Sequence, residues 1–149
     1  ITEVKQTSPY LMGMVESVSS GETTASLKSQ AMRREANSLY ATYTEITEHP
    51  SQMIQMKMFT SDDNGFLADS IGQNSGLDID DKAALLCQLN PNKRLEMAIS
   101  MLRQEIEVLK LESEIHDRTR TNMDQNQRDY YLRELRKLPF PERQPLLPT

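Results

Sequence analysis

The sequence has no tryptophan, three phenylalanines, five glycines and a single cysteine, and each shortage excludes a class of protein. So few glycines and aromatics cannot furnish the turns and core of an all-β fold. An apolar content carried by Leu, Ile, Ala and nine methionines suits helix-on-helix packing. The lone Cys87 rules out an internal disulfide and a cysteine-based metal cluster. It closes the apolar run from Ala83, where a buried, inert thiol is expected. No stretch approaches the roughly 18 consecutive apolar residues of a membrane span, and no secretory leader pattern is present, so a soluble protein is expected. The net charge of −5 lacks the excess of cations that a general nucleic-acid binder carries. The charge is also uneven: residues 1–90 sum to −6, whereas 91–138 hold ten Lys and Arg against nine Asp and Glu.

Catalytic patterns are missing too. None of the glycines lies in a phosphate-binding loop, neither His49 nor His116 has a ligand partner at metal-binding spacing, and no serine is paired with a local base. The acidic run Asp78, Asp80, Asp81 lacks the glycine and distal glutamate of a calcium loop and reads as helix capping. No catalytic residue, cofactor site or metal site is therefore expected in this chain.

Periodicity supplies the architecture. Ile1–Lys5 alternates apolar and polar residues, a turn is expected near Ser8-Pro9, and Tyr10–Val18 reads as extended. Two such strands are marginal alone, so they read as remnants of a β-sheet domain. After Ser19-Ser20-Gly21 a long helix is expected to about Glu48, with Met32, Ala36, Leu39, Tyr43 and Ile46 as its buried stripe and His49-Pro50 as its stop. Ser51 is positioned to cap a short helix bearing Met53, Ile54, Met56, Met58 and Phe59. The Ser61–Asn64 run caps another, carrying Phe66, Leu67 and Ile71 up to Ser75-Gly76. Asp78 caps a third, with Ala83, Leu85 and Leu86 facing inward.

Asn90-Pro91 is a strong helix start, and no glycine or proline follows until Pro139. Leu95, Ile99, Leu102, Ile106 and Leu109 form a 3.5-residue seam. The same seam continues through Ser113, His116, Arg120, Met123, Gln127 and Tyr130, where it turns polar. The second half is left to acid-first i,i+4 pairs (Glu112–His116, Glu114–Arg118, Asp124–Arg128), each worth roughly 0.2–0.5 kcal/mol. The fold class is mostly α: a small helical bundle with one very long C-terminal helix, preceded by remnants of a β-sheet domain. The divisions are 1–18 for the end of the β domain, 19–90 for a helical subdomain, 91–138 for the long helix, and 139–149 for a Pro-rich tail, disordered or foreign to the native protein.

Two features point to contacts. Met53, Met56, Met58 and Phe59 are spaced too closely for one helical face, so at least one must be exposed, and flexible methionines suit varied apolar partners. Core packing of a short helix is the other reading of the same residues. Met123 is the one large apolar residue between Ile115 and Tyr130, and with Tyr130 and Tyr131 it is a candidate contact with substrate or another subunit.

Several stretches, in order, resemble the Lon family of ATP-dependent proteases: Pro9-Tyr10-Leu11 with Val15-Glu16, Phe66–Ile71, Asp81–Leu86, Lys93–Glu96, Glu105–Glu112 and Gln127–Glu134. The resemblance runs over about residues 1–137. It departs at Leu135-Arg136-Lys137-Leu138-Pro139, where the family's helix continues. It implies a non-catalytic N-terminal piece of an ATP-dependent serine endopeptidase that recognises unfolded or damaged polypeptides and helps assemble a hexameric ring. ATP and Mg would then be bound in a module further along the chain, in the cytoplasm or, for a eukaryotic protein, the mitochondrial matrix. The competing reading is a stand-alone helical scaffold that dimerises through the 95–109 seam as a coiled coil. Nucleic-acid binding through Arg118, Arg120 and Arg128 is disfavoured, because neighbouring acids match those cations.

Overall fold

A computed structural model describes residues 1–19, 21, 25–48 and 51–137. Two short strands, β1 (Glu3–Gln6) and β2 (Met12–Met14), pair antiparallel, with Glu3 opposite Met14 and a bulge between Val4 and Gln6. Five helices follow: α1 (Leu27–Thr47), α2 (Gln52–Thr60), α3 (Asn64–Asn74), α4 (Ile79–Cys87) and α5 (Pro91–Lys137). The mostly α class and the very long last helix thus agree with the sequence pattern. The chain forms two compact units, Ile1–Glu107 and Val108–Thr149. His49-Pro50, Ser20 and everything from Leu138 onward lie outside the described residues, and with them the helix stop and the Pro-rich tail expected there.

Local chemistry explains most helix boundaries. Asp63 caps α3 by accepting from the amides of Gly65 (2.9 Å) and Phe66 (3.3 Å). Asp78 caps α4 through the amide of Asp81 at 2.9 Å. Asn90 caps α5 by accepting from Asn92 (3.0 Å) and Lys93 (3.2 Å), with Pro91 at the first helical position. Each such cap is worth about 1 kcal/mol. Ser51 precedes α2 but makes no side-chain capping bond. The first helix begins at Leu27, later than expected after Gly21, because Ser26 is the residue that accepts from the Ser29 amide at 3.0 Å. It ends at Glu48, whose φ of 56° is left-handed.

The core of the first unit is built from one face of each helix. Ala36, Tyr40 and Tyr43 of α1, Met58 of α2, Leu67, Ala68 and Ile71 of α3, and Leu85 of α4 are buried. From α5 they are joined by Leu95, Ala98, Ile99, Leu102 and Ile106. The first part of α5 is bound to this bundle by Arg103 with Glu35 (2.7 Å) and Arg94 with Asp69 (3.5 Å). The hydrophobic seam beginning at Leu95 is therefore spent on the chain's own helices as far as Ile106, which leaves those seam residues no free surface for a coiled-coil partner.

Three expectations need correction. The buried face of α1 is rotated from the expected stripe: Ser29, Ala36, Tyr40, Tyr43 and Thr44 are buried, while Met32, Leu39 and Ile46 are only half-buried. The tyrosine pair explains the rotation, since the Tyr40 and Tyr43 rings stack with centroids 6.3 Å apart and the Tyr43 hydroxyl accepts from the Gly76 amide at 2.8 Å. On α4 only Leu85 faces inward; Ala83, Leu86 and Cys87 are exposed. A nine-residue helix turns a single narrow face to its neighbour, so an apolar run overstates its burial. Finally, among the described residues none of the expected pairs Glu112–His116, Glu114–Arg118 and Asp124–Arg128 closes to an ion pair, whereas Glu134 and Lys137 meet at 3.1 Å. Exposed pairs gain too little to hold two long side chains in one geometry.

Candidate functional site

The nine residues of α2 are held to the bundle chiefly through Met58, which is fully buried, with Ile54 and Gln55 half-buried beside it. Gln55 donates to the Thr44 hydroxyl at 2.5 Å, fastening α2 to α1. A helix anchored along one line presents its remaining residues outward. Met53, Met56 and Phe59 are accordingly 70%, 67% and 76% exposed. The closely spaced cluster thus divides: Met58 belongs to the core and cannot meet a partner in this state, while its three neighbours are accessible. Exposed apolar side chains grouped on one face are unusual unless something covers them.

Beside Met56 and Phe59 an open groove of about 390 Å³ runs between α1 and α2. Its floor is Tyr40 and Ala41, and Asn37, Gln52 and Gln55 place amides along it. At one end it continues into a depression lined by Arg33, Arg34 and Asp62. At the other it continues into one lined by Glu45 and Glu48. The apolar middle offers contact area, and the amides offer donors and acceptors to a polypeptide backbone. Among the described residues, neither end contains a nucleophile paired with a base. Among the described residues, no group of three or more His, Cys, Asp or Glu is placed to hold a metal ion.

Arg33, which lines the depression at one end of the groove, belongs to a buried polar cluster that no sequence pattern marks. Asn64, fully buried at the start of α3, donates to the Ser29 hydroxyl (2.7 Å) and to the Asn92 side-chain oxygen (2.6 Å). Arg33 donates to Ser29 (3.0 Å) and to Asn64 (3.2 Å). These bonds join α1, α3 and α5, and they fix the end of α1 from which Arg34 extends. The signal missed for the groove was a stripe on the outer face of α1, where Arg34, Ser38, Ala41 and Glu45 recur at helical spacing, with Glu48 just past the helix end.

In the second unit every described residue from Glu112 to Lys137 is exposed. Met123 is 57% exposed, Tyr130 67% and Tyr131 64%. These three candidates lie on α5 and are accessible, but they belong to a different compact unit from Met53, Met56 and Phe59. No helix among the described residues is long and apolar enough to cross a membrane.

Comparison with known proteins adds the ancestry of this arrangement. Residues 1–104 match the family described as the ATP-dependent protease La (LON) substrate-binding domain. Lon protease 1 of Myxococcus xanthus is 32% identical over 105 residues, which is 70% of this chain and 13% of that protein. The Lon protease of Elusimicrobium minutum is 38% identical over 76 residues, 51% of this chain and 9% of the relative. That of Escherichia coli K12 is 31% identical over 108 residues, 72% of this chain and 14% of the relative. The chain thus spans a small fraction of the length of the curated relatives it matches. The family match takes in both strands, α1 to α4 and the start of α5; the Glu105–Glu112 and Gln127–Glu134 motifs lie beyond it.

Proposed function

The chain belongs to the family of ATP-dependent protease La (Lon) substrate-binding domains, and from that premise we propose that it is the non-catalytic, substrate-recognising region of an ATP-dependent serine endopeptidase. Its partners are unfolded or damaged polypeptides, whose apolar side chains have lost their own core. The observation that carries this reading is the set of exposed side chains Met53, Met56 and Phe59 beside an apolar groove with an amide lining. Methionine reshapes at little cost and so accepts apolar side chains of many shapes, which a site for varied unfolded chains requires.

In this reading the chemistry lies outside the chain: ATP, Mg and the peptidase nucleophile belong to modules further along the parent protein, which works in the cytoplasm. The exposed Met123, Tyr130 and Tyr131 of α5 serve a second set of contacts, with substrate or with neighbouring subunits of a ring. The test is retention of a urea-denatured model protein, rapidly diluted, on the immobilised chain at low salt. Retention is expected to fall at least about fivefold in a Met56→Ser/Phe59→Ser variant, as for loss of two buried apolar contacts. Because both side chains are exposed, thermal stability is expected to stay within about 0.5 kcal/mol of the parent chain. No retention of the denatured protein by the parent chain would sink the reading.

A further inference from the structure

The α1/α2 groove is electrically polar along its length, and the polarity follows from one face of one helix. Arg34, Ser38, Ala41 and Glu45 lie three or four residues apart along α1, which places them in a line on its surface, and Glu48 follows just past the helix end. Ala41 borders all three parts of the groove, and its small side chain leaves the middle open. Among the described residues, the depression at the Arg34 end has Arg33 and Arg34 against the carboxylate of Asp62. Arg33 is already committed to Ser29 and Asn64, so Arg34 is the cation exposed to an incoming group. The opposite depression has Glu45 and Glu48, with no Lys or Arg among the described residues of its lining. Between the ends, Tyr40, Met56 and Phe59 give apolar contact, and Asn37 and Gln52 face the opening with amide groups that can pair with a peptide backbone.

We propose that this groove takes an extended segment of unfolded polypeptide with an apolar centre, an acidic residue at the Arg34 end and a basic residue at the Glu45/Glu48 end. The length follows from helix geometry. Arg34 and Glu45 are separated by about 17 Å of helix axis at 1.5 Å per residue, which an extended chain covers in about five residues at 3.3 Å each. The preferred segment therefore carries an acid and a base about five positions apart with apolar residues between them. Either chain direction satisfies the charges, since they are read from side chains. The inference rests on the substrate-recognition reading and deepens it, from any unfolded chain to a charge-bracketed apolar segment.

The experiment compares three fluorescein-labelled eight-residue peptides with the same four apolar central residues: one acid-ended and base-ended, one acidic at both ends, one basic at both ends. Fluorescence anisotropy is read at low salt on the chain and on two variants, Arg34→Glu and Glu45→Lys/Glu48→Lys. On the parent chain the mixed-charge peptide is expected to bind about fivefold tighter than either like-charged peptide, the scale of a few exposed ion pairs. Arg34→Glu is expected to move the preference to the peptide basic at both ends. The double variant is expected to move it to the peptide acidic at both ends. A reversal of preference in opposite directions cannot come from partial unfolding. Equal affinities for all three peptides, unchanged in both variants, overturn the groove assignment while leaving general recognition of unfolded chains intact. Failure of the chain to retain either the peptides or a urea-denatured protein overturns both. If light scattering shows a dimer that Arg34→Glu dissolves, with peptide affinity unmoved, the occupant is a second copy of the chain and the proposal fails.

Discussion

Asn64 shows how much of this bundle depends on single polar side chains. It is fully buried, and its amide bridges residues 35 positions upstream and 28 downstream. Replacing it with alanine takes a donor from the Ser29 and Asn92 oxygens and an acceptor from Arg33, at a position that is itself fully buried. Asn64→Ala is expected to cost about 2–3 kcal/mol, read as a lowered urea midpoint with an unchanged slope. A cost below half a kcal/mol would mean that water replaces the lost bonds. Tyr40 makes a second residue-level prediction. Burial, and to a lesser degree the neighbouring Tyr43, push its hydroxyl above the ordinary tyrosine value of 10.0. The folded chain thus holds this proton more tightly than the unfolded chain. That contribution is fully present below pH 10 and is lost as pH rises through the higher folded value. Stability is expected to decline above about pH 10, and less steeply in a Tyr40→Phe variant, followed by denaturant unfolding alongside tyrosinate absorbance. What was legible at this scale was local. The Ser61–Asn64 run, Asp78 and Asn90 were readable as caps because the amides that Asp63, Asp78 and Asn90 satisfy lie two or three residues away. Asn64 was not, because its partners are set by the fold.

Elements were legible in kind and order, less so in the direction they face. A regular apolar stripe on α1 identified a helix, but a 3.6-residue period tolerates rotation of the buried face by a fraction of a turn. Long-range partners of Tyr40 and Tyr43 decided that rotation. On α4 the apolar run concealed that Leu86 and Cys87 face outward. On α5 the weakening of the seam was readable, and the structure gives it an energetic meaning. Leu102 is fully buried and Leu111 is 56% exposed on the same helix. Leu102→Ala is expected to cost about 2–5 kcal/mol, the range for cavities left by a buried leucine. Leu111→Ala is expected to stay within about 0.5 kcal/mol. Thermal unfolding by circular dichroism distinguishes them, and a comparable loss from both would mean that the second stretch of α5 is packed in solution.

At the scale of the whole molecule, the division after Glu107 separates two kinds of helical stability. Up to Ile106, α5 is supported by buried side chains and by ion pairs to α1 and α3. From Glu112 to Lys137 every side chain is exposed. Helical order there depends on propensity and local pairs, and such stretches are marginal in water without tertiary packing. Amide hydrogens report this directly, because a buried helix exchanges through global unfolding and an unsupported one through local opening. Amides of residues 95–106 are expected to exchange at least about a hundredfold more slowly than those of residues 115–130, a difference of about 3 kcal/mol in opening free energy. Substrate recognition gives the same measurement a second use. If Met123, Tyr130 and Tyr131 contact an unfolded polypeptide, adding a urea-denatured protein should slow exchange in 115–137 and leave 95–106 unchanged. If the Met56 and Phe59 groove alone is engaged, protection should be confined to α1 and α2. Protection equal in both halves of α5 before any substrate is added would show that the second unit is supported by packing the exposed side chains do not reveal.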